Sequence, residues 1–137
     1  MALSSLLSLP IVQQAIAAAV TASNLSATSK YQKSEQGFVL FQVAGGGYLI
    51  KQGAPAPGDG VLSAYQANLN FPGGPAGSAP LLYFHTHPFT GPIPETGTDW
   101  NTAPESCEVA GAQPSAAYPN GLPSVIQAPG GVRFFYP

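Results

Sequence analysis

The chain has 137 residues, enough for one domain with a sizeable core and too few for two. Charged side chains are scarce: there are four basic and six acidic residues, the net charge is −2, and 45% of the residues are apolar. The basic residues are scattered, so they form no cluster that would neutralise a run of phosphates, and we expect no nucleic-acid partner. Sixteen Gly and fifteen Pro predict long irregular loops within a globular domain.

The first thirty residues contain a Leu-rich stretch followed by an Ala-rich stretch. No Lys or Arg precedes them and Gln13-Gln14 interrupts them, which disfavours both a secretory signal and a membrane span. The pattern instead predicts a helix that has Pro10 in its first turn and ends at Asn24. Three larger apolar residues fall on one side of this helix: Ile11, Ile16 and Val20. We expect residues 1–30 to form the helix and its connection to the rest of the chain.

Strand formers and turn residues alternate through residues 31–137. Residues 37–43 and 48–51 flank Gly45-Gly46-Gly47 and predict a β-hairpin. A further strand is predicted within 61–69, and a second hairpin within 124–136. The sequence therefore predicts a sheet that carries the functional site.

The segment His85-Thr86-His87-Pro88 follows four apolar, strand-forming residues, 81–84. Because alternate residues of a strand share a face, both imidazoles are expected on the same side. Thr96 has the character of a helix start, which would bring Asp99 back towards the histidines. Two His and one carboxylate leave the fourth tetrahedral position of Zn²⁺ open for water, as catalytic zinc sites require.

These residues resemble the JAMM/MPN metallopeptidases. The family pattern is an upstream Glu, then His-Ser/Thr-His-Pro, seven residues, Ser, two residues and Asp. Here Glu35 stands upstream, seven residues separate Pro88 from Thr96, and Asp99 completes the spacing. Thr96 departs from the usual Ser but keeps the hydroxyl. The similarity to short bacterial members, including domains of toxin and phage-related proteins, covers nearly the whole chain, although only the motif is specific.

The resemblance implies that His85, His87 and Asp99 bind Zn²⁺. It also implies that Glu35 takes a proton from a zinc-activated water and that the hydroxyl of Thr96 stabilises the oxyanion. The expected fold is a single α/β domain over residues 1–137, with a curved, mostly antiparallel sheet related to that of cytidine deaminases. An N-terminal helix and a short helix after the ligand loop, near 100–109, complete it.

The implied reaction is hydrolysis of an amide bond in a peptide or protein, such as a ubiquitin-like modifier or a toxin or phage polypeptide. The sequence leaves the location open between the cytoplasm and a phage or secreted assembly. The alternative from another functional class is a JAMM-like structural or binding module with little or no catalysis. Cupins and carbonic anhydrases need a third His, a (β/α)₈ hydrolase needs about 250 residues, and a zinc deaminase needs Cys pairs.

Several residues have a second interpretation. A lone Glu before a strand is commonly exposed, and the substitutes for Glu35 as the base are Glu95, Glu105 and Glu108. The segment 96–99 also fits a helix capping box. Phe89 and Trp100 are candidates either for a cleft wall or for core packing, and the lone Cys107 is expected to be a small buried residue.

Overall fold

A computed structural model describes residues 2–27, 33–55, 69–88, 91–92, 99–100, 122–131 and 133–136. Two helices come first, α1 (Leu3–Ser8) and α2 (Pro10–Ser23). The strands are β1 (Gly37–Gln42), β2 (Tyr48–Gln52), β3 (Ala54–Pro55), β4 (Leu69–Asn70), β5 (Ala79–Thr86), β6 (Gly91–Pro92), β7 (Asp99–Trp100), β8 (Ser124–Gln127) and β9 (Arg133–Tyr136). A 3₁₀ turn, Pro129–Gly131, joins the last two strands.

Five strands form one mixed sheet in the order β2-β1-β5-β8-β9. Strands β5 and β8 are parallel, and the other three neighbouring pairs are antiparallel. The two predicted hairpins are confirmed as β1–β2 and β8–β9. Gly45 and Gly46 both have φ of 93°, which is why glycine suits the first turn. The described residues thus form an α/β domain with a mostly antiparallel sheet.

Helix α2 covers one face of this sheet. It has Pro10 at its first position and ends at Asn24, whose φ of 54° is left-handed, so both predicted ends are confirmed. The predicted inward side is wrong at Ile11, which is 36% exposed. The buried side begins one residue later and follows the i, i+3, i+4 spacing of a packed helix: Val12, Ala15, Ile16, Ala19 and Ser23.

The core lies between the two helices and the even-numbered residues of β5. Leu82 and Phe84 are fully buried, and Phe84 stacks on its cross-strand neighbour Phe38 with ring centroids 5.2 Å apart. Leu6 from α1 and Val125 from β8 join the same cluster. Burial of this apolar area is the main force that fixes β5 against β1.

The predicted helix start at Thr96 is wrong for the described residues beside it. Asp99 and Trp100 are extended and pair as β7 with β6. Pairing with β6 supplies backbone hydrogen bonds that a helix would otherwise provide, and Trp favours strands. Residues 101–109 lie outside the described part of the chain, as does most of the predicted strand within 61–69, of which β4 begins at Leu69.

Candidate metal centre

Strand β5 places the two histidines of the motif together at its carboxyl end. His85 is the penultimate strand residue, and His87 follows the strand by one position while its amide still donates to the carbonyl of Gln127 at 2.9 Å. The side chains are 6% and 7% exposed. Their Nε2 atoms face each other at 3.1 Å, so the expected placement of both imidazoles on one side is confirmed.

The segment before β1 brings Glu35 to the histidines. Strands β1 and β5 pair with Gly37 opposite His85, so a residue two positions before Gly37 lies beside the end of β5. The amide of Thr86 donates to the carbonyl of Gln36 at 2.8 Å and continues the pairing by one step. Glu35 is therefore placed by strand register, not by local sequence.

Gly37 permits the close approach of the two strands at this point. A Cβ at Gly37 would overlap the carbonyl oxygen of Phe84 and would lie 2.8 Å from the Cβ of His85. Any side chain there would push the two strands apart beside the first histidine. The glycine after Glu35 thus serves the geometry of the site.

Glu35, His85 and His87 form a group that can hold a metal ion. One ligand atom from each residue lies within 4.8 Å of the other two. Two imidazole nitrogens bound at about 2.0 Å to a tetrahedral zinc lie about 3.3 Å apart, close to the 3.1 Å found here. Two nitrogens and a carboxylate oxygen are donors that suit zinc and other first-row transition metals.

Without a metal, the same nitrogens would be joined by a hydrogen bond in which one Nε2–H donates to the other ring. That pairing needs one particular tautomer on each ring. A shared cation uses the lone pairs of both rings, and it also explains why a carboxylate lies within 4.8 Å of them. The charge of Glu35 would compensate a cation in a place where both imidazoles are removed from water.

Aromatic rings flank the site on the face of the sheet opposite the helices. The ring of Phe71 meets that of His85 edge-on, with centroids 6.3 Å apart, and meets Tyr83 at 5.2 Å. Phe71 thus covers one side of the His85 ring. No local sequence pattern indicates this contact, because Phe71 lies outside the motif and the contact depends on the tertiary fold.

The other predicted site residues lie partly or wholly outside the described part of the chain. The backbone of Asp99 belongs to β7, but its side chain is not described. Thr96 lies outside the described residues, as do the substitute bases and one of the two aromatic wall candidates: Glu95, Glu105, Glu108 and Phe89. For Trp100, only the backbone in β7 is described.

Within the described ranges, neither helix combines the length and hydropathy needed to cross a bilayer. Comparisons of the chain with protein-family profiles, with curated proteins and with solved structures gave no match.

Proposed function

We propose that this protein is a zinc-dependent metallopeptidase or isopeptidase of the JAMM/MPN kind, which hydrolyses an amide bond in a peptide or protein. The observation that carries the proposal is the convergence of Glu35, His85 and His87 within 4.8 Å at the end of a buried strand. The spacing of Thr96 and Asp99 behind the histidines supports it further.

The proposed roles follow from the chemistry of each side chain. Zinc held by His85 and His87, with Asp99 as the third ligand, would supply an activated water and polarise the substrate carbonyl. Glu35 accepts the proton of the attacking water and returns it to the leaving amine. The hydroxyl of Thr96 donates a hydrogen bond to the oxygen that becomes negatively charged.

The proximity of Glu35 also permits a second arrangement, in which its carboxylate is itself a metal ligand. The ligand atoms of the three residues lie within 4.8 Å of one another. This range covers the distance of about 3.3 Å between neighbouring ligands of a tetrahedral zinc, and also the longer distance between these ligands and a base that contacts a water. Two histidines and one carboxylate bound directly would form a site of the kind used by non-haem iron enzymes as well as by zinc hydrolases.

Glu35→Gln distinguishes these arrangements. As a base, Glu35 is dispensable for metal binding, so the variant keeps zinc while hydrolysis falls about 100-fold or more. The measurements are zinc content and turnover on a panel of peptides and isopeptides. Asp59→Ser is the matched control, because it removes a carboxylate from a position that has no proposed role.

Each contrary result has a definite meaning. Loss of zinc in Glu35→Gln would make Glu35 a ligand, and equal turnover in variant and wild type would assign the base to another residue, with Glu95 the first candidate. Zinc binding without turnover on any substrate of the panel would favour the alternative function, a structural or binding module, over an enzyme.

A further inference from the structure

A pair of buried hydroxyl groups lies directly behind the metal centre. Ser23 is the last residue of α2, and Thr86 stands between the two histidines on the opposite face of β5. Both side chains are 0% exposed, and the Oγ of Ser23 is 2.5 Å from the Oγ1 of Thr86. The pair joins the end of the helix to the strand that carries both imidazoles.

The hydroxyl of Thr86 also holds the residue that follows Glu35. The amide of Gln36 donates to the Oγ1 of Thr86 at 3.0 Å, and this hydroxyl is 3.3 Å from the carbonyl of Gln36, to which it donates. With Ser23 donating the third bond, the one proton and two lone pairs of the threonine hydroxyl are all used.

The residue before Glu35 is held by the same helix end. The amide of Ser34 donates to the carbonyl of Ser23 at 3.2 Å, and its hydroxyl donates to the carbonyl of Ala22 at 3.3 Å. Glu35 therefore lies between two residues whose backbones are anchored, one to α2 and the other to β5.

A hydroxyl at position 86 is unusual for its surroundings. The preceding residues on this face of β5, Leu82 and Phe84, belong to the apolar core. A buried hydroxyl weakens a core unless its hydrogen bonds are made, and a valine would fill the same volume. The bonds that Thr86 makes are those that fix the peptide next to Glu35.

We propose that Thr86, supported by Ser23, is a positioning residue that holds Glu35 against the two imidazoles without touching the metal. The inference rests on the proposed metal centre and adds a residue that controls it from the opposite face of the strand. Outer partners that orient the groups of a metal site commonly change its metal affinity 10- to 100-fold when they are removed.

The test is the binding of Co²⁺, whose visible absorption reports the ligands and their geometry. In Thr86→Val, we expect the spectrum to move towards that of Glu35→Gln and the cobalt affinity to change no more than it does in Glu35→Gln, because Thr86 acts on the metal centre only through Glu35. Thr86→Ser keeps the hydroxyl and restores the wild-type spectrum. Adding Thr86→Val to Glu35→Gln changes the spectrum no further, because Thr86 acts through Glu35.

Controls separate positioning from folding. Thr21→Val makes the same substitution on the exposed side of α2 and keeps the wild-type spectrum. Ser23→Ala removes the support but leaves the bond between Thr86 and Gln36, so it moves the spectrum in the same direction by a smaller amount. It serves as the second variant if Thr86→Val does not fold, as judged by circular dichroism.

Two results would overturn the inference, and they differ. A folded Thr86→Val or Ser23→Ala with the wild-type spectrum and affinity would show that the hydroxyl pair is structural, while the metal centre stands. Absence of cobalt and zinc binding by the wild-type protein would overturn the metal centre itself, and this inference with it.

Discussion

The two faces of strand β5 bury different kinds of side chain. On the face towards the helices, Leu82 and Phe84 are buried in apolar contacts that need no partner. On the other face, His85 is also buried, but its ring nitrogens need hydrogen-bond or metal partners. The helix-facing residues of β5 therefore contribute apolar burial to stability, whereas on the opposite side the buried imidazole needs polar or metal partners to compensate its loss of water.

Thr86 connects the two faces of β5 through its hydrogen bonds. Its side chain points into the core, yet its hydrogen bonds reach the segment of Glu35, which serves the other face. The core here therefore does more than stabilise, because the hydroxyl of Thr86 also holds the segment of Glu35.

The largest effect on stability is expected on the core side. Phe84→Ala should lower the free energy of unfolding by about 3–5 kcal/mol, because it removes a fully buried ring that stacks on Phe38. Phe71→Ala is the matched control, since Phe71 is only partly buried on the opposite face, and we expect a smaller loss. Urea denaturation measures both variants. Equal losses would contradict the division of roles between the faces.

For His85→Ala, we expect a large loss of zinc affinity and a small loss of stability. Removal of one metal ligand should weaken zinc binding by more than about 100-fold, beyond the usual effect of losing an outer partner. Competition with a chelator of known affinity measures the change. Since His85 does not belong to the buried apolar cluster of the described residues, the metal-free variant should keep most of its stability. A large loss of stability without loss of zinc affinity would make His85 a core residue only.

Gly37→Ala should affect both faces by a smaller amount. The added methyl overlaps the backbone of β5 beside His85 and forces the strands apart, at a cost of about 1–3 kcal/mol. Zinc affinity should fall as well, because a Cβ at Gly37 would lie 2.8 Å from the Cβ of His85, so the added methyl displaces this ligand together with the segment of Glu35. Gly73→Ala is the control: a Cβ there meets nothing within 4 Å, and the residue lacks a positive φ. If both alanines behave alike in thermal melting and zinc titration, the close approach of β1 and β5 is not what places Glu35.

The sequence predicted the local features of the fold and site well. Alternation in the apolar strand placed both histidines on one side, and turn glycines located the first hairpin. These features depend on residues close together in the chain, where backbone preferences dominate.

The predictions from the sequence failed where the structure depends on contacts between residues that are far apart in the chain. The helix was predicted with Ile11 inward, but its contact with the sheet buries Val12 instead. The contact between Ser23 and Thr86 joins residues 63 positions apart, so no local pattern indicates it. Asp99 lies in a short strand that pairs with β6, and this pairing between separate segments was not indicated by the local pattern that predicted a helix. The resemblance to the JAMM/MPN pattern implied Glu35 as a site residue, but only the register of β1 against β5 explains how it reaches the histidines.

The most direct test of the account is the zinc content of the wild-type protein, purified without chelators and measured by elemental analysis together with calorimetric titration of the metal-free form. Three protein ligands and one open position predict about one zinc per chain. A protein that contains no zinc and binds none on titration would contradict the account, and the 3.1 Å contact between His85 and His87 would then be a hydrogen bond between two buried rings.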